Sequence, residues 1–85
     1  MKLTPFAIMC KSPDGDGTLF DPSSNKPMKL NVTGVILWEA LTEGANEADA
    51  VELLLKKFPG LTAEQAKSDV DYFIGQLEKR SLLQR

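Results

Sequence analysis

The sequence predicts an α+β domain in which three short antiparallel strands precede three helices. Turn-forming runs cut the first third of the chain into apolar pieces of strand length. Residues 30–41 are then almost continuously apolar behind a helix-capping asparagine. Over the last half, apolar residues recur at spacings of three and four between clear start and stop signals. Eighty-five residues allow one domain with a modest core, so 1–85 is read as a single domain.

The first strand is expected in Phe6-Ala7-Ile8-Met9-Cys10, an apolar run that alone has no preference between strand and helix. The following Ser12-Pro13-Asp14-Gly15-Asp16-Gly17 decides for a strand. It is dense in turn formers and holds two Asp-Gly pairs that readily adopt positive φ. Thr18-Leu19-Phe20 is then the returning strand of a hairpin. Residues 21–27, with two prolines, two serines and an asparagine, form a second loop. Met28-Lys29-Leu30 alternates apolar, polar, apolar, as a strand with one buried face does.

Asn31 caps the central helix by accepting from a free backbone donor of its first turn. Val32, Val35, Ile36, Leu37, Trp38, Ala40 and Leu41 make it apolar on nearly every side, which predicts a helix covered from several directions. Gly34 costs about 1 kcal/mol relative to alanine in a helix interior, a cost that suits a position where another backbone passes close by. Gly44 is the C-terminal stop. A second helix runs from Asn46 or Glu47 to Lys57, with the apolar positions Ala48, Val51, Leu54, Leu55 and Phe58 at helical spacing and acid and lysine at the ends the macrodipole favours. Pro59-Gly60 breaks the chain. Thr62-Ala63-Glu64-Gln65 is a capping box. The third helix carries Ala66, Val70, Phe73 and Leu77 as its inner stripe. Ile74 lies beside that stripe with Lys67, Asp71 and Glu78 just beyond, and Asp69, Gln76 and Arg80 lie on the opposite flank. Gly75 falls on the outer face. Leu82 and Leu83 are expected to fold back onto the core.

Composition narrows the chemistry. The chain is 42% hydrophobic and 26% charged, as ordinary globular chains are, with a formal net charge of −2 that disfavours a nucleic-acid partner. No apolar run approaches the roughly 20 residues needed to span a bilayer, so no membrane partner is expected and the cytoplasm is the expected compartment. There is no histidine and one cysteine, so neither a metal cluster nor an activated thiol is predicted, and no catalytic residue is assigned. Phosphate-loop and dinucleotide fingerprints are absent, and no cofactor is expected. Cys10 reads as a small strand residue. The domain reads as one that binds.

A small sheet followed by three helices resembles a winged helix. More specifically, Leu30-Asn31-Val32-Thr33-Gly34, the 38–41 stretch, and Asp69-Val70-Asp71-Tyr72-Phe73-Ile74-Gly75-Gln76-Leu77 followed by Leu82-Leu83 resemble the PqqD-like proteins, also called RiPP recognition elements. The resemblance spans about residues 5–83, with two departures: Ser81 stands where the family usually has glycine, and Gly75 interrupts the third helix. It implies a peptide chaperone that binds the leader segment of a ribosomally made precursor peptide. The bound precursor is presented to a modifying enzyme, a radical S-adenosylmethionine protein or another. On that resemblance Met28, Lys29 and Leu30 offer an open strand edge to the peptide. Val70 and Ile74 are expected to floor a groove beside it, with Lys67, Asp71 and Glu78 on its rim. The competing readings are a winged-helix DNA-binding protein and a structural or dimerising subunit. DNA binding would require basic or amide side chains along the third helix, where acids and bases are instead mixed. The expected oligomeric state is a monomer or weak homodimer.

Overall fold

The computed structural model describes residues 2–4, 7–21 and 26–84. Among these residues, five short strands and three helices follow one another as β1 (Lys2–Leu3), β2 (Ile8–Lys11), β3 (Gly17–Phe20), β4 (Met28–Leu30), α1 (Val32–Thr42), α2 (Glu47–Lys57), α3 (Ala63–Lys79) and β5 (Leu83–Gln84). The α+β class is as predicted, with two strands more than expected. β2, β3 and β4 form an antiparallel sheet in that order, in which Met9 faces Leu19 and Leu19 faces Met28. The two additional strands, β1 and β5, pair antiparallel with each other and tie the two ends of the chain together. The first predicted strand is observed as β2, which begins at Ile8 and runs one residue beyond Cys10 to Lys11, while Phe6 lies outside the described residues. The loop expected over 21–27 lies outside them at 22–25.

The β2–β3 hairpin shows what each of its glycines does. Gly15 has φ +97° and its N–H donates to the Ser12 carbonyl at 3.0 Å, closing the turn in a conformation side chains disfavour. Gly17 does not adopt positive φ. Instead it is buried in β3 so tightly that a Cβ there would lie 2.8 Å from the Cys10 carbonyl oxygen and 3.2 Å from the Val35 side chain. α1 therefore seats on the hairpin through a residue that has no side chain.

α1 is central but not covered all round. Val35, Leu37, Trp38 and Leu41 are buried, while Val32 at its start is exposed and Ile36 is half-buried. Asn31 accepts from the Gly34 N–H at 2.8 Å, a cap contributing about 1 kcal/mol. A Cβ on Gly34 would come within 3.3 Å of both the Leu30 Cβ and the Asn31 Oδ1, so the strand-to-helix corner closes because this position is glycine. The helix ends as a Schellman motif: Gly44, at φ +99°, donates to Leu41, and Ala45 donates to Ala40. Both later helices start with a capping box, Asn46 with Asp49 and Thr62 with Gln65. Ala50 and Leu54 of α2, and Ala66, Val70, Phe73, Ile74 and Leu77 of α3, join the α1 residues, Leu19, Leu30, Leu82 and Leu83 in one core.

Candidate binding groove

β4 is an outer strand. Its inner neighbour is β3, and among the described residues no strand pairs with its other side. The strand is short because its Leu30 end runs directly into the Asn31 cap. Beside it opens a groove of about 460 Å³, within the range of clefts that accept ligands. β4 contributes Met28, Lys29 and Leu30. The start of α1 adds Asn31, Thr33, Gly34 and Leu37, and α3 closes the far wall with Asp69, Tyr72 and Phe73. Leu30, Leu37 and Phe73 are core side chains that show one face to this space, so its floor is apolar. Lys29 and Asp69 are exposed charges at its margins. Tyr72 is 71% exposed, an aromatic ring standing in water.

The eight residues expected to form the site divide into two sets. Met28, Lys29 and Leu30 lie together on the outer strand and line the groove. The five on α3 do not line it, which corrects the expected geometry. Val70 is 2% exposed and Ile74 is fully buried, so both belong to the core, and neither lines the groove beside β4. Lys67 and Asp71 are exposed on the opposite flank, where with Val70 they line a separate depression against Glu47, Ala48, Val51 and Glu52 of α2. Glu78 is exposed and lines neither depression. The physical reason is the width of the buried arc. Ile74 turns inward with the central stripe, so the arc extends toward α2 and its margin falls at Lys67 and Asp71. The flank facing β4 is the one that begins at Phe73 and passes through Asp69 to Tyr72. One signal for it was present in the sequence: Tyr72 is an aromatic residue on an otherwise polar helix face, where burial gives no reason for it.

An open strand edge beside a helix, with an apolar floor between them, defines a small α+β domain with an open groove along its outer strand. The family model described as "Coenzyme PQQ synthesis protein D (PqqD)" matches residues 17–83, from β3 to β5, and the chain belongs to that family. Two solved structures share the fold. One is described as "TbiB1 in Complex with the TbiA(beta) Leader Peptide", with a TM-score of 0.87 and 19% identity over 99% of this chain and 95% of that one. The other, "Lasso peptide synthetase B1 complexed with the leader peptide", has a TM-score of 0.79 and 22% identity over 93% of this chain and 91% of that one. No curated protein matches significantly. No helix among the described residues is long and apolar enough to cross a membrane.

Proposed function

We propose that this domain captures the leader segment of a ribosomally made precursor peptide as an added strand on β4 and presents it to a modifying enzyme. It acts as a binding partner rather than as a catalyst. The observation that carries this reading is the unpaired outer side of β4 facing a groove walled by α3. Membership of the PqqD family supports it, and so do two similar folds whose descriptions name a bound leader peptide. The modifying enzyme we propose is a radical S-adenosylmethionine protein, as the sequence resemblance implies.

Magnitudes apportion the binding energy. Each backbone hydrogen bond contributes about 0.5–1.5 kcal/mol net, and a three-residue strand offers few of them on its outer side. Burying one large apolar side chain contributes about 1.5–3 kcal/mol. Main-chain pairing therefore sets the register of the guest, and the groove supplies most of the affinity and the selectivity. In an added strand alternate side chains face the same way, so every second guest residue points at Leu37 and Phe73 while the others face water. The DNA-binding alternative has less behind it, because Glu64, Asp69, Asp71 and Glu78 share the exposed surface of α3 with its cations.

Titration with candidate precursor peptides, followed by amide chemical shifts, tests the reading. Shifts are expected at residues 28–31 and at Asp69, Tyr72 and Phe73. Shifts confined to the β2–β3 hairpin or to the α2 side of α3 would rule it out.

A further inference from the structure

The groove beside β4 does not stop at Asp69. A second cleft, of about 430 Å³, opens beyond Thr33 and Asp69, and these two residues line both spaces. Its far wall is the turn between α2 and α3, where Phe58, Pro59 and Leu61 supply apolar surface. That wall is fixed. Phe58 and Leu61 are half-buried against the core, and the Leu61 N–H donates to the Phe58 carbonyl at 2.9 Å.

Chain direction links the two spaces. Leu30, Asn31, Val32 and Thr33 are consecutive, so the Leu30 end of β4 leads to the waist that Thr33 forms with Asp69. An extended guest advances about 3.3 Å per residue, so a few residues beyond the paired stretch carry it past that waist. We propose that the second cleft is a further subsite for the same peptide, taking an apolar side chain that lies outside the strand-paired segment. Asp69 at the waist, an exposed carboxylate, receives a basic side chain or a backbone N–H of the connecting residues. This proposal rests on strand addition to β4. It adds that the recognised segment is longer than β4 and carries two separated apolar anchors.

Gly60 allows a clean test. It is exposed, lines the second cleft, and a Cβ built on it meets nothing within 4 Å. Gly60→Trp therefore adds a large ring at the lining of the second cleft, with no clash at its Cβ. Short random peptides displayed as a library are selected on the full chain, and the enriched sequences are titrated into wild type and Gly60→Trp. The same sequences trimmed at either end are titrated in parallel. Amide shifts are expected at residues 58–61 as well as along β4. Gly60→Trp is expected to weaken the full-length peptides about tenfold or more, and trimming one end is expected to abolish that difference. Shifts along β4 with none at 58–61, and equal binding by Gly60→Trp, would overturn the second subsite and leave strand addition standing. Selected peptides that shift neither region would overturn both.

Discussion

The two flanks of α3 carry similar residues and have opposite surroundings. On one, Lys67 and Asp71 border a depression shared with α2. On the other, Asp69 and Tyr72 border the groove shared with β4 and the start of α1. Each flank pairs an exposed acid with a longer side chain, and on a helical wheel the first differs by the apolar Ile74 beside it. What decides between them is tertiary. α2 packs along the first flank, so that side is enclosed by another helix with its own backbone bonds complete. The second flank faces a strand whose outer side is unpaired. Only there do an apolar floor and free main-chain groups occur together, and an extended peptide needs both.

The largest effect is expected where the sequence placed the groove floor and the structure places core. Ile74 is fully buried, so Ile74→Ala removes packed side-chain volume at a cost of about 2–5 kcal/mol. For a chain of 85 residues that is a large share of a total stability of roughly 4–13 kcal/mol. Trp38, 4% exposed and the only tryptophan, reports unfolding in urea by fluorescence. The midpoint is expected to fall sharply with the slope unchanged. An unchanged midpoint would return Ile74 to the groove and reverse the comparison of flanks.

A smaller effect, in binding rather than stability, separates Tyr72 from Asp71. Both are exposed, so replacing either with alanine is expected to move stability by no more than about 0.5 kcal/mol. Tyr72→Ala removes an aromatic anchor at the edge of the β4 groove and is expected to weaken leader-peptide binding about tenfold. Asp71→Ala, on the α2 side, is expected to bind as wild type. Titration calorimetry on the pair measures the contrast, and loss of affinity in Asp71→Ala alone would place the guest against α2.

The features legible in the sequence are those decided within a few residues. The Asn31 and Thr62 caps rest on side-chain bonds to a backbone three positions away, and the strand at Met28–Leu30 rests on alternation. The Asn46–Asp49 capping box was equally local but hidden, because Asp49 reads as a solvated acid until its bond to the Asn46 N–H is seen. The pairing of β1 with β5 was not legible at all. Two-residue strands at opposite ends of the chain carry no periodicity, and the chain must fold before they meet. The flank of α3 facing β4 was missed for a related reason. Periodicity gives the centre of a buried arc only to within one residue, and admitting Ile74 to that arc reverses which margin is open.

The finest expected effect concerns how α3 ends. Ser81 adopts φ +58°, and the turn is a Schellman motif in which Ser81 donates to Glu78 and Leu82 to Leu77. Both leucines are buried, so the motif has its accompanying apolar contact, and Leu82 leads straight into β5. Gly44 occupies the same place at the end of α1 with φ +99° and no Cβ. A serine there crowds its Cβ against the following carbonyl at a cost of about 1–2 kcal/mol, partly offset because glycine loses more chain entropy on folding. Ser81→Gly is thus expected to stabilise the domain by about 1 kcal/mol, read as a higher urea midpoint. Ser81 lines neither the β4 groove nor the depression against α2, so peptide affinity is expected to stay unchanged. A stabilised variant that also binds differently would mean that the α3 flank facing β4 shifts with its terminus, and that the groove is adjustable rather than preformed.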